Sequence, residues 1–272
     1  MRTDLIFKQN IRRILTDGSV DKDPRAYWSD GQPAHSYYLT QIFETYELTY
    51  GEFPITSLRK IPWMSAIQEI LWIYQDQSND LQLLRDKYKI RWWDSWESND
   101  LPGTIGLRYG HTIRKHDQMK NLIQGIKSNP NGRRHIMTLW DWEDFRSSDG
   151  LFPCAYETLW AVRDGYLDCT LIQRSQDYLV AGHINKIQYV ALQMIVAAEC
   201  GLKVGKFSHF VNNLHIYDRH LDAAVFLLDI KPSDKNPKLI YTPAPLGQIT
   251  INNFELQDYE PKTNHLSFEV AV

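Results

Sequence analysis

Pro153-Cys154 follows the loop SSDGLFP and opens a run of strand-like sequence that closes on Gln173-Arg174-Ser175. Between them stands Asp164-Gly165, the dipeptide best suited to a two-residue type I′ hairpin turn. With those two as the loop, Arg163 faces Tyr166, and counting outward pairs Cys154 with Ser175 and sets Arg174 beside it. A bulge, common near active sites, would shift the pairing by one residue. The chemistry on offer is nucleophilic. A free thiol titrates near about 8.5 and only its thiolate attacks. A cation about 4 Å away, at an effective dielectric of about 20, favours the anion by up to roughly 4 kcal/mol before desolvation is subtracted. Taken alone, a free cysteine is more often a buried hydrophobe, and that reading is kept for Cys169 and Cys200.

A second cationic spot, Arg133-Arg134, follows Asn129-Pro130-Asn131-Gly132, a turn that brings it to the surface. The guanidinium fork suits phosphate because it donates two parallel hydrogen bonds. Neighbouring strand residues point to opposite faces, so both serve one ligand only if it sits at a subunit boundary. Glu69 is the one charged residue of the apolar stretch MSAIQEILWIY. A carboxyl there is raised in pKa unless it is paired, and it fits general acid/base work or a buried salt bridge.

Other chemistries are missing. No GxGxxG occurs, and Gly201-Leu-Lys-Val-Gly205-Lys206-Phe207 lacks both the spacing and the hydroxyl of a phosphate loop. HExxH, GxSxG and histidine pairs at i, i+4 are also absent, so no metal site is expected. The three cysteines are too few and scattered for a disulfide framework. A formal charge of -3 gives no basic excess, so nucleic acid is not expected as the main ligand. No apolar run is long enough to span a bilayer and no secretory leader precedes the first helix, which points to a cytoplasmic protein.

The elements that position these groups follow from periodicity. Phe7, Ile11, Ile14 and Leu15 share a helical face closed by Asp17-Gly18, Tyr37 to Leu48 reads as a strand, and Met64 to Tyr74 reads as an apolar helix. Arg134 to Trp140 reads as a strand, and Ile184 to Glu199 as a long helix closed by Gly201 that covers one face of the sheet. At 272 residues, 43% of them hydrophobic, one core and a single domain over 1–272 are expected. The order of elements lacks regular strand-helix alternation, so the fold class is α+β, with a mixed, largely antiparallel β-sheet packed with helices.

At this point the residues resemble a family. Pro153-Cys154, then Gln173-Arg174-Ser175-Gln176-Asp177, Asn185 and His215-Ile216-Tyr217 look like the core motif series of thymidylate synthase, in order and spacing. Trp93-Asp94-Ser95-Trp96, Tyr109-Gly110, Arg133-Arg134, Glu69 before Leu71-Trp72, and the terminal Val270-Ala271-Val272 resemble it as well.

The resemblance implies a methyltransferase of the thymidylate synthase-like fold, dimeric through a sheet face. It would convert dUMP to dTMP with 5,10-methylenetetrahydrofolate as donor of carbon and hydride, and without a metal. Cys154 would add to C6 of uracil. Arg25, Arg174 and Ser175 would hold the phosphate, with Arg133 and Arg134 reaching across from the other subunit of a homodimer. Asn185 would read the base, offering uracil both a donor and an acceptor, whereas the related deoxycytidylate hydroxymethylases typically carry Asp there. His215 and Tyr217 would bind the sugar hydroxyl, with Gln176 and Ile216 in the same nucleotide-binding stretches. Tyr109 would stand near the thiol, and Glu69 would move protons and order water. Trp93, Asp177, Ala271 and Val272 would contact the folate, the C-terminal tail closing over it as a lid. Ala155, Ala181 and His183 stand where many members have histidine, glycine and proline, and Leu58 where many have lysine. A pyrimidine nucleotide hydroxymethylase, or a non-catalytic nucleotide- or RNA-binding relative, would share the same fold.

Overall fold

The chain begins with a helix whose apolar face fixes everything next to it. In the computed structural model, which describes residues 1–272, α1 spans Arg2–Asp17 and buries Phe7, Ile11 and Ile14 completely. It ends at Gly18 because a Cβ there would lie 2.3 Å from the Ile14 carbonyl oxygen; φ is an ordinary -66°, so close approach, not left-handed backbone, calls for glycine. After β1 (Ser19–Val20), the expected strand appears as β2 (Ser36–Glu47). The apolar stretch becomes α2 (Trp63–Tyr74), and α3 (Leu81–Tyr88), α4 (Gly110–Lys115) and α5 (Gln118–Ser128) follow.

The strand expected over Arg134 to Trp140 is confined to β3 (Ile136–Thr138). Asp141 then caps α6 (Trp142–Ser147), its carboxylate accepting from the backbone N–H of Glu143 and Asp144, so the chain turns into a helix where a strand had been expected to end. Next come β4 (Ala155–Arg163), β5 (Tyr166–Gln173), β6 (Gln176–Asp177), α7 (Gly182–Glu199) and β7 (Lys203–Tyr217). The chain continues through α8 (Leu221–Asp229) and a separate small hairpin of β8 (Lys238–Tyr241) and β9 (Phe254–Gln257).

The main sheet runs β1-β2-β7-β5-β4-β3, with β6 also on β7. β5 and β6 lie parallel to β7 and every other pairing is antiparallel, a mixed, largely antiparallel sheet as expected. Helix α7 packs on β5 and β7 through the fully buried Ile187 and Ala191, and α2 packs on α7. Truncating Ile187 to alanine would cost about 2–5 kcal/mol. Of the residues that depart from the family pattern, Leu58 is fully buried beside Phe7, Ala155 lies in the main core, and Ala181 caps α7. His183 packs edge-on against Phe7 with Nδ1 at the Pro54 carbonyl.

Two irregularities shape the site. Arg163 pairs with Tyr166 across a turn in which Asp164 (φ 52°) and Gly165 (φ 80°) are both left-handed, as a type I′ loop requires. The ladder slips between Ala155 and Glu157, so Ala155 pairs with Gln173. Tyr156 is the extra residue, and Cys154 therefore meets Arg174 instead of Ser175: the Arg174 N–H donates to the Cys154 carbonyl at 2.8 Å. On the other side, Gln173 pairs with Val211 and Gln176 with Leu214, leaving Arg174 and Ser175 off the ladder between β5 and β6.

Candidate active site

Cys154 is half-buried at the mouth of the β4–β5 hairpin. Burial pushes its thiol above the usual cysteine value, and the Arg174 and Arg25 guanidiniums pull the other way without winning. Desolvation thus outweighs the neighbouring arginines, the reverse of the thiolate expected from the sequence. Cys169 is wholly buried with Asp168 as its charged neighbour, and Cys200 lies near Lys127 and Glu199, so Cys154 alone of the three faces arginines. Tyr109 lies against it: burial raises that phenol far above its ordinary value and the Cys154 thiol adds to the rise. Tyr109 itself sits at φ 51°, ψ -108°, strained backbone at the entry to α4. Arg174 folds back on the loop before the cysteine, donating from Nε to the Pro153 carbonyl (3.0 Å) and from Nη2 to that of Phe152 (2.7 Å).

Asn185, on the first turn of α7, is held by three glutamines. Its Oδ1 accepts from Gln173 Nε2 (3.1 Å) and Gln176 Nε2 (3.3 Å), and its Nδ2 donates to Gln188 Oε1 (3.1 Å). Gln173 Nε2 also donates to the Ser175 carbonyl at 2.9 Å. A carbonyl only accepts, so this bond fixes which end of the Gln173 amide is nitrogen. Gln173 Oε1 then receives His209 Nε2–H at 2.9 Å, which sets the tautomer of a histidine that burial lowers to about 3 and keeps neutral. The Asn185 carbonyl is thus engaged twice and one of its N–H groups is left to donate.

Asp177 pairs with His215 on β7, and His215 and Tyr217 meet ring to ring at 5.0 Å. Burial lowers His215 to about 4, so it is neutral, and its Nδ1 meets Asn213 Oδ1 at 2.9 Å. Burial raises the Asp177 carboxyl to about 7, even though its Oδ1 accepts from the Val180 N–H. Facing its Oδ2 at 3.9 Å is His220 Nδ1, which has no hydrogen-bond partner. The fully buried Arg59 donates to the Leu179 carbonyl and lies under the Phe268 ring, tying the segment after Asp177 to the C-terminal tail.

That tail is strapped down. Val272 and Tyr27 exchange backbone hydrogen bonds of 2.8 and 3.1 Å, and Ala271 packs on Ala26 and Trp28, two positions around Arg25 and Tyr27. Glu269 accepts from the Ser29 N–H and hydroxyl and pairs with Arg219 at 3.0 Å, while His220 Nε2 donates to its carbonyl. The chain terminus is therefore tied to the segment that carries the phosphate candidate Arg25.

Glu69 is buried on α2, where no cation pairs with it; burial raises its carboxyl to about 7 against hydrogen bonds from Trp93, Trp92 and Gln188. Trp93 Nε1 donates to it at 2.9 Å, and the Trp93 ring packs edge-on against Tyr109 at 5.0 Å. Gln188 links this carboxyl to Asn185, so Glu69, Gln188, Asn185, Gln173 and His209 form one polar chain from α2 to β7.

Three residues stand apart from this cluster. The Ile216 side chain is fully buried in the core beneath α1 and α8, away from Tyr217, so only its backbone adjoins the site. Arg133 and Arg134, beyond the turn closed by Gly132 N–H on the Asn129 carbonyl, are exposed and make no hydrogen bond or ion pair within the chain. Gln173, Gln188, Arg59 and His220 went unassigned from sequence. Of these only Gln188 had a signal, at i+3 from Asn185 on one helix face. No group of three or more His, Cys, Asp or Glu side chains is placed to hold a metal, and no helix is long and apolar enough to cross a membrane.

Comparison with known proteins gives the family of the whole chain. The thymidylate synthase family model matches residues 5–272. The chain is 50% identical to a thymidylate synthase of Streptococcus gordonii over 279 aligned positions, covering 100% of this chain and 99% of that one. It is also 50% identical to one of Streptococcus sanguinis, with 99% of each chain covered. Among solved structures, thermostable thymidylate synthase A of Bacillus subtilis superposes with a TM-score of 0.91 at 32% identity, over 99% of each chain. A family match over residues 5–272, with 50% identity to relatives covered over almost their whole length, places the protein in the thymidylate synthase family.

Proposed function

We propose that the chain methylates dUMP to dTMP with Cys154 as nucleophile, and that one observation carries the residue assignment: of three thiols, only that of Cys154 sits between guanidinium groups, Arg174 and Arg25, at the end of a hairpin. 5,10-Methylenetetrahydrofolate supplies the one-carbon unit and the hydride when it is bound. The half-buried Asp177 carboxyl, neutral or ionised near pH 7 and bordered by the unpartnered Nδ1 of His220, suits the amide-like edge of a pterin, and Trp93, Ala271 and Val272 complete that side.

Arg174 and Arg25 take the phosphate with the Ser175 hydroxyl, which no protein group engages. Arg174 has more N–H donors than its two carbonyl partners use. Asn185 presents its free N–H to O4 of uracil, and the amino group at the same position of cytosine would set donor against donor. His215 and Tyr217 hold the sugar hydroxyl. Addition of the Cys154 sulfur to C6 makes C5 nucleophilic, with Tyr109 beside the thiol and Glu69 behind Trp93 to move protons. We also propose one domain over 1–272, a cytoplasmic location, and a homodimer through the sheet face. Exposed Phe43 on β2 and Ile136 on β3 support the dimer, as do the free Arg133 and Arg134 beside β3, available to a second subunit's phosphate.

Incubation with 5-fluoro-dUMP and methylenetetrahydrofolate, followed by mass spectrometry, gives a covalent adduct on Cys154, and dUMP gives dTMP. An adduct elsewhere removes the nucleophile assignment, and a hydroxymethyl nucleotide without dTMP removes the reaction.

A further inference from the structure

Arg108 is fully buried and makes no ion pair. The two Nη groups of its guanidinium donate to main chain, Nη1 to the carbonyls of Leu107 and Asp144, both at 3.0 Å, and Nη2 to that of Ser148 at 2.8 Å, while the buried Nε has no partner. Its plane lies against two rings, with Cζ 4.7 Å from the centroid of Phe145 and 5.3 Å from that of Phe152, themselves stacked at 4.2 Å. A buried arginine with no carboxylate in contact, only the Asp144 and Asp149 charges nearby, is costly to keep, so a specific return is expected from it. All of its partners beyond Leu107 lie on one stretch, Asp144 to Phe152, which delivers Pro153-Cys154.

The same stretch is locked to the segment leading into Arg108 at two glycines. A Cβ on Gly106 would come within 2.2 Å of the Asp149 carbonyl oxygen, and one on Gly150 within 2.6 Å of that of Ile105. On its other side Phe152 is held by Arg174, through the Phe152 carbonyl. The nucleophile loop is therefore gripped between two guanidiniums, by its ring on Arg108 and by its carbonyls on Arg174. Only one of those grips is independent of the ligand if Arg174 also serves the phosphate. Its Nε–H and one Nη2–H hold the Pro153 and Phe152 carbonyls and the remaining N–H groups are those left for the anion, so this grip is shared with the ligand whereas that of Arg108 is not.

We infer that Arg108 is a positioning residue for the nucleophile: it keeps Phe152-Pro153-Cys154 in place while the Arg174 guanidinium is engaged by the nucleotide. Arg108 touches neither substrate nor sulfur. It acts through Phe152 and through its chain neighbour Tyr109, which lies against Cys154. The inference rests on the assignment of Cys154 and Arg174 above.

The test compares wild type, Arg108→Met, Arg108→Lys and Phe152→Leu for dUMP affinity and for the rate of Cys154 trapping by 5-fluoro-dUMP with methylenetetrahydrofolate. In Arg108→Met the dissociation constant of dUMP stays within about 3-fold while trapping slows about 100-fold, the scale of a nucleophile displaced by about 1 Å. Arg108→Lys, a point charge that cannot span three carbonyls, recovers part of the rate. Phe152→Leu leaves the Arg108 hydrogen bonds intact and shows the same split at about 10-fold, which keeps the test open if Arg108→Met does not fold. Trapping at the wild-type rate in the variants, or affinity and trapping falling by one common factor, overturns the inference. A wild type that neither traps the inhibitor nor makes dTMP instead removes the underlying assignment.

Discussion

The backbone N–H of Arg174 donates to the carbonyl of Cys154 at 2.8 Å, so the cation and the thiol are neighbours through main chain before their side chains interact. Arg174→Met leaves that bond intact and removes only the guanidinium. The Cys154 thiol, already raised by burial, then rises further. Iodoacetamide alkylation of Cys154 near neutral pH slows about 10-fold as the thiolate fraction falls, and dUMP affinity drops by a similar or larger factor. Unchanged alkylation would show that the two groups do not communicate electrostatically.

Glu69, raised by burial to about 7, is half-protonated where most carboxyls are fully ionised. Working as a base it acts only when ionised, so turnover falls as pH drops through about 7. Asp177 is raised to about 7 as well, and two infrared carboxyl bands are expected to titrate in that range, one lost in Glu69→Gln and the other in Asp177→Asn. A midpoint near the ordinary carboxyl value for both would contradict the burial argument.

Glu44 on β2 and Lys186 on α7 form an ion pair in which both side chains are almost wholly buried, with Tyr46 donating to the carboxylate at 2.7 Å. Burial pushes the Glu44 carboxyl up, but Lys186 and its hydrogen bonds outweigh it and bring the carboxyl to about 2. Because that lies below the ordinary 4.5, the stabilisation is complete above about 4.5 and is lost as pH falls towards about 2. Lys186→Met, which strands the carboxylate, destabilises by about 3–5 kcal/mol, whereas Glu44→Leu with Lys186→Met is close to neutral. Chemical denaturation of the single and double variants measures both.

Deleting Val272 removes both backbone bonds to Tyr27. Turnover falls by about 10-fold or more, while dUMP affinity, read by calorimetry, changes by less than about 3-fold. Equal losses would mean that the tail shapes the nucleotide site and does not act as a lid.

Much of this arrangement is legible in the sequence where a local signal is strong. The faces of α1, α2 and α7 follow from apolar spacing, and Asp164-Gly165 specifies its turn. The register set by that turn holds out to Glu157 opposite Ile172, and only past Tyr156 does the one-residue bulge that the sequence allows for move Cys154 from Ser175 to Arg174. The direction of the Cys154 shift was missed because a neighbouring charge can be inferred from a hairpin, whereas the depth of a sulfur cannot. Gln173 meets Asn185 from β5 and His209 meets Gln173 from β7, and Arg108 meets a loop some forty residues onward, so nothing near them in sequence announces the contact.

The bulge makes chain length in β4 carry information. A variant lacking Tyr156 keeps Glu157 opposite Ile172 and still brings Cys154 to Arg174, since the extra residue simply leaves the ladder. Loss of any single residue between Glu157 and Arg163 instead slides the sulfur one step along its partner strand. Relatives that differ in length here are therefore expected to differ at the position of Tyr156, and insertions or deletions nearer the turn to occur only in compensating pairs across the two strands.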